Sequence, residues 1–133
     1  MLPDVANRAP DWIQQAAQDL DRAEECVRLG RHEWACFVAQ QGAAKAVEAL
    51  HLHLGQKARG HPIVTLLTDL PKGVDVPADL VERGRVLDNF YIPTRYPDSH
   101  PEGSPSSHYG PLQSTEAVTH ARSIVEFARI HMA

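Results

Sequence analysis

The segment that most constrains the fold is a 23-residue run from His32 to Leu54 whose apolar residues leave no side free. Trp34, Ala35, Phe37, Val38, Ala39, Ala43, Ala46, Val47, Ala49, Leu50 and Leu54 spread over most of the circumference of a helix. A helix apolar on several sides needs several neighbours to cover it. This is therefore the central helix of a bundle, and its alanines allow close approach. Gly55 marks its end.

The remaining pattern supplies those neighbours. Ile13, Ala16, Ala17, Leu20, Ala23 and Val27 recur at steps of three and four, which gives a first helix with one apolar face, closed by Gly30. Asp11 is its expected cap, with Gln14 three residues on. His61-Pro62 opens a short third helix that buries Ile63, Leu66, Leu67 and Leu70. A fourth runs from Ala78 to Ile92 with Leu80, Gly84, Leu87 and Tyr91 on one face. After a long loop, Ser114 is the expected cap of a fifth helix lined by Ala117, Val118, Ala121, Ile124, Val125, Ala128 and Met132. No segment alternates as a strand does. The expected fold is all-α, a single domain spanning 1–133.

Composition narrows the function classes. A net charge of −4 leaves no global basic field, so nucleic acid would have to be met by a local patch or a dimer groove. The two cysteines, Cys26 and Cys36, have no metal-site spacing and are expected to be buried free thiols. His51 and His53, two apart on a helix, point to different sides and are poor joint ligands. No run reaches the length of a membrane span and no signal-peptide pattern opens the chain, so a cytoplasmic protein is expected, without membrane association.

Polar chemistry gathers in one place. Between the fourth and fifth helices, residues 93–113 carry five prolines and two glycines, a length that compact domains usually keep for function. Its start holds Arg95, Tyr96, Asp98 and His100 within six residues, and Tyr109 follows. Arg95 and His100 form an Arg-x4-His pair. By itself such a pair is weak, since chance gives roughly 0.6 in a chain of this composition. Elsewhere, Gln41, Lys45 and Glu48 read as a solvated polar stripe. Lys57, Arg59, Arg83 and Arg85 read as surface charge that a dimer would have to bring near Arg95 to matter.

The order of these features resembles the HEPN family, the higher-eukaryote and prokaryote nucleotide-binding domains. Trp12 and Ala16-Ala17-Gln18-Asp19-Leu20 match its first helix. Trp34-Ala35-Cys36-Phe37 and Gln40-Gln41-Gly42-Ala43-Ala44-Lys45-Ala46-Val47-Glu48-Ala49-Leu50 match its second, with Ala44 where an acid is common and Glu48 where a lysine is. Gly60-His61, Leu66-Leu67 and the block Leu87-Asp88-Asn89-Phe90-Tyr91-Ile92-Pro93-Thr94-Arg95-Tyr96-Pro97-Asp98 complete the match over about 120 residues.

The resemblance implies a five-helix domain resembling a four-helix bundle, commonly a homodimer. It also implies a metal-independent, cofactor-free ribonuclease with an Arg-x4-6-His site doubled across the dimer, often the toxin of a toxin–antitoxin pair with a minimal nucleotidyltransferase partner. Other members are silent nucleotide- or partner-binding modules. Carried onto this chain, Arg95 and His100 are the catalytic candidates, and Tyr96, Asp98 and Tyr109 the candidates for contacting RNA or a nucleotide. A structural alternative stays open: Arg95 paired to Asp98 or Asp88, tying the loop to the bundle, with His100 a solvated loop residue.

Overall fold

A computed structural model describes residues 7–58, 60, 62–91 and 94–133. Among the described residues five α-helices carry the fold: α1 (Ala9–Arg28), α2 (His32–His53), α3 (Ile63–Thr68), α4 (Ala78–Asp88) and α5 (Pro111–Met132). Two 3-10 turns, Pro97–Ser99 and Pro105–Ser107, shape the long segment between α4 and α5. No strand occurs among the described residues, and none of their helices is long and apolar enough to cross a membrane.

Helix α2 is central, as its composition requires. It packs against α1, α3, α4 and α5 and also touches the second 3-10 turn. Thirteen of its 22 residues are buried, which leaves only a narrow strip for solvent. The contact with α1 is built from small residues: Ala16, Ala23, Ala35, Ala39, Ala43 and Ala46 are all fully buried. A Cβ on Gly42 would lie 3.3 Å from the Ala16 carbonyl oxygen, so the two backbones meet almost directly. Larger side chains (Leu50, Ile63, Leu66, Leu67, Leu87 and Ile124) fill the other end, where α3, α4 and α5 converge.

Both early helices close in the same way. Gly30 (φ +73°) and Gly55 (φ +80°) take the left-handed conformation. The next amides, Arg31 N–H and Gln56 N–H, then reach back to the Cys26 and His51 carbonyls at 2.8 Å. These bonds satisfy carbonyls that a helix end leaves open.

The N-terminal caps differ from those expected. Helix α1 starts two residues before Asp11, with Asn7 Oδ1 accepting the Ala9 N–H at 3.3 Å, and Asp11 instead pairs with Arg8 at 3.0 Å. Helix α5 starts at Pro111, where the absent N–H costs nothing, and the Gln113 side chain accepts the Gly110 N–H at 2.8 Å. Ser114 is thus inside the helix and fully buried. Its hydroxyl bonds His32 Nδ1 at 2.8 Å, joining α5 to the first residue of α2. Pro62 is the residue before α3; His61 lies outside the described residues.

The fourth helix is shorter than its pattern. It ends at Asp88 and passes into turns whose amides bond three residues back, Phe90 N–H to Leu87 O at 2.9 Å among them. The expected end at Ile92 falls outside the described residues.

Two consequences for stability follow. A Cβ added at Gly84 would stand 2.8 Å from Ile63 Cγ2, a branched atom on a fully buried side chain. Gly84→Ala gains about 1 kcal/mol of helix propensity, against about 1–3 kcal/mol for overpacking a filled core. A lower melting temperature is expected, and an unchanged or higher one would show that α3 and α4 separate easily.

Cys36 is fully buried, and burial pushes its thiol up from 9.0 to about 12, with the nearby Glu33 carboxylate adding to the rise. The folded chain therefore holds this proton between pH 9 and 12 while the unfolded chain releases it. This contribution to stability is complete below pH 9 and is lost as pH rises toward 12. Denaturant midpoints should fall less steeply over that range in Cys36→Ala than in the parent. Parallel slopes would remove the assignment.

Candidate functional site

The site begins where α4 ends. Past Asp88 the chain turns through Asn89, Phe90 and Tyr91, and the two consecutive aromatic residues anchor different groups. Phe90 lies partly buried against the core, with its ring 5.9 Å from Tyr109. Tyr91 is 41% exposed and its ring lies 6.1 Å from Phe37, which in turn meets Trp34 edge-on at 5.8 Å. Buried Thr94 donates its hydroxyl to the Phe90 carbonyl and holds the following turn against α4.

Arg95 enters this ring cluster. Its guanidinium carbon lies 4.5 Å from the Tyr91 centroid, 4.8 Å from Phe37 and 5.1 Å from Tyr96. Its Nε–H donates to the Tyr91 carbonyl at 3.1 Å. Among the described residues it forms no ion pair with a carboxylate. Asp98 is exposed in the first 3-10 turn and joins no ion pair there either. Asp88 is committed elsewhere: its two oxygens accept the Ile63 N–H at 2.8 Å and the Val64 N–H at 3.1 Å, and Gln40 Nε2 donates to it at 3.4 Å. The aspartate at the end of α4 thus caps the start of α3. The pairing of Arg95 with Asp88 or Asp98 is not what holds this loop.

His100 belongs to a second ring cluster. Its imidazole stacks on His108, with centroids 4.1 Å apart and planes within 5°. It meets Tyr109 edge-on at 5.9 Å. His108 is fixed by a hydrogen bond to the Glu102 carbonyl. Burial pushes the Tyr109 phenol above its ordinary value. His100 is therefore held on an aromatic stack while staying partly exposed. Arg95 rests on Tyr91 and His100 reaches Phe90 through Tyr109, so successive residues of the turn connect the two clusters.

Next to the Arg95 cluster is a cavity of about 540 Å³ bordered by Trp12, Gln40, Gln41, Ala44, Lys45, Glu48, Gly60, Pro62, Asp88 and Tyr91. Four segments contribute to it. The stripe that reads as solvated in the sequence is in fact its α2 wall: Glu48 is 8% exposed and Lys45 Nζ meets Asp19 Oδ2 of α1 at 2.7 Å. The signal that was missed is the tertiary one, since Asp19 is 26 residues from Lys45.

Other candidates resolve into structural roles. His51 is buried between Gln56 Oε1 at 2.9 Å and the Leu66 carbonyl at 2.7 Å. Arg83 pairs with Asp79 at 3.0 Å and Arg85 with Glu82 at 3.2 Å, while Arg59 lies outside the described residues. No group of His, Cys, Asp or Glu among the described residues could hold a metal ion.

A family model for the HEPN domain matches residues 9–131. The chain belongs to the HEPN family. Solved HEPN-like structures agree over nearly the whole length. The crystal structure of TT1696 from Thermus thermophilus is 51% identical, covering 94% of this chain and 98% of that one, with a TM-score of 0.92. ST0689, an archaeal HEPN homologue, is 37% identical over 95% of this chain and 98% of its own, with a TM-score of 0.82. The HEPN domain protein tm0613 from Thermotoga maritima is 29% identical over 90% and 95%, at 0.73. No curated protein matches the chain. In this HEPN domain the Arg-x4-His pair thus follows α4, with each member held by its own set of rings.

Proposed function

We propose that this HEPN protein binds RNA and cleaves it by metal-independent acid–base chemistry, with Arg95 and His100 as the catalytic pair. The observation that carries the reading is the state of Arg95: a guanidinium resting on three rings, two of them exposed, with no carboxylate paired to it among the described residues. Such a group offers its N–H fork to a phosphate. In the reaction, the 2′-hydroxyl oxygen attacks the adjacent phosphorus and its proton passes to a base. The bond to the 5′-oxygen breaks, and that oxygen receives a proton. The products are a 2′,3′-cyclic phosphate and a 5′-hydroxyl. His100 is the proton carrier, and Arg95 stabilises the charge growing on the phosphate oxygens.

The exposed faces of Trp34, Tyr91 and Tyr96 give flanking bases surfaces on which to stack. Tyr109 positions His100, and Asp98 lies at the solvent edge of the same loop. A homodimer bringing two such sites together, a nucleotidyltransferase partner and a toxin–antitoxin role belong to the same proposal.

One observation favours a second reading, a silent nucleotide- or partner-binding module: Arg95 and His100 occupy different ring clusters of the chain. The two readings part on one assay. Incubated with a broad RNA set in excess chelator, the protein should yield fragments ending in cyclic phosphate. Intact RNA at high protein concentration would leave the binding module.

A further inference from the structure

We infer that His108 is a second proton carrier of the cleavage reaction, taking the 2′-hydroxyl proton while His100 protonates the departing 5′-oxygen. This role rests on the ribonuclease reading above. Strand cleavage moves two protons at two different oxygens, and the Arg-x4-His pair contains a single imidazole. The fold sets a second imidazole, from beyond that pair, directly against the first: His108 stacks on His100.

The Glu102 carbonyl decides which atom of His108 does the work. A carbonyl oxygen only accepts, so the bond between them places a hydrogen on Nε2. In the neutral ring Nδ1 then carries the lone pair, and no described residue bonds to it. A neutral imidazole with its lone pair on a defined atom is a general base. The surrounding backbone keeps the anchor in place. Gly103 takes φ +80°, and a Cβ there would stand 2.7 Å from Ser107 Oγ and 3.2 Å from His108 Nε2, so the corner after Glu102 closes onto the ring. The His108 backbone N–H donates to Pro105 O at 3.0 Å and Ser107 Oγ donates to Ser104 O at 2.7 Å, closing the 3-10 turn that precedes the ring.

The spacing of the two rings suits the reaction. In an in-line displacement at phosphorus the attacking and leaving oxygens stand on opposite sides. In two-metal sites the pair that serves those oxygens is about 3.5–4 Å apart. Here the ring centroids are 4.1 Å apart and the planes lie within 5°. Imidazole nitrogens exchange protons in the plane of the ring, so stacking blocks neither ring. Both are partly exposed, which gives a phosphate access to the edge of the stack. Tyr109 meets the stack edge-on to His100, and Glu102 meets it through its backbone carbonyl. In the step itself, the 2′-oxygen bonds to phosphorus as its proton passes to His108 Nδ1. The bond to the 5′-oxygen breaks as a ring N–H of His100 gives that oxygen a proton. One ring gains what the other loses, so the stack leaves the step with the charge it brought, and solvent resets the two rings.

The test is the pH–rate profile of RNA cleavage by the whole protein in excess chelator, with thermal melts to establish that each variant is folded. His108→Phe keeps a stacked ring, and His108→Gln keeps an N–H for the Glu102 carbonyl, but neither keeps a basic nitrogen. Each should lower cleavage by about 10²–10⁴-fold. Each should also flatten the acid limb of the profile, where the parent loses rate because its base is protonated. His100→Ala should flatten the alkaline limb instead. A rate near the parent's in either folded variant, or an acid limb that persists in both, would overturn the assignment and leave the ribonuclease reading standing. Failure of the parent to cleave a broad RNA set would end both.

Discussion

His100→Ala is expected to lower RNA cleavage by about 10²–10⁴-fold, the usual contribution of a positioned acid or base, while the protein stays folded. The imidazole is half-exposed on a loop, and its stack with His108 and edge contact with Tyr109 are peripheral to the core. Its loss should therefore shift stability by no more than about 1 kcal/mol. Arg95→Ala should have a comparable effect on cleavage. Arg95→Lys separates charge from shape: lysine retains the charge but neither the planar fork nor the stacking plane. If charge alone mattered, the lysine variant would recover activity, whereas persistent loss supports bidentate phosphate binding. Undiminished cleavage in His100→Ala would end the proposed role of this histidine.

The largest expected effect on stability lies at Asp88. Alanine there removes both acceptors of the Ile63 and Val64 amides and the partner of Gln40. Cap loss costs about 0.5–2 kcal/mol, and stranding partly buried donors raises the total to about 2–3 kcal/mol. A fall in melting temperature of roughly 5–10 °C is expected for a domain of this size. Asp88→Asn, which keeps one acceptor oxygen, should lose about half as much. A melting curve matching the parent would show that solvent caps α3 equally well.

These positions also mark how far the sequence could be read. Helix identity and the central place of α2 were legible because burial repeats with helical period, and an all-round apolar helix has one solution. The starts of α2 at His32 and α4 at Ala78 were legible too, but the caps of α1 and α5 were not. Asp11 and Ser114 are good caps by residue type, but Asn7 and Gln113 hold the actual starts, and Ser114 is used to bind His32. The cap of α3 comes from a residue 25 positions away, which no local rule detects.

The site was legible as a location and less so as an arrangement. Proline density and the Arg-x4-His pair pointed to the segment after α4. That Arg95 would lie on rings from α2 and from its own turn, rather than on an acid, depends on tertiary packing. The cavity is the extreme case. Lys45 and Glu48 have the spacing of an exposed stripe, and only the approach of α1, with Asp19 on it, turns that stripe into a wall.

The three rings around Arg95 have a further consequence for affinity. A free arginine side chain surrenders about 2 kcal/mol of rotamer freedom when a ligand immobilises it. Here folding has already confined it, through Phe37, Tyr91, Tyr96 and the bond from Nε to the Tyr91 carbonyl. A phosphate arriving at this guanidinium meets a group that has little left to lose, so a modest number of contacts is enough to hold it.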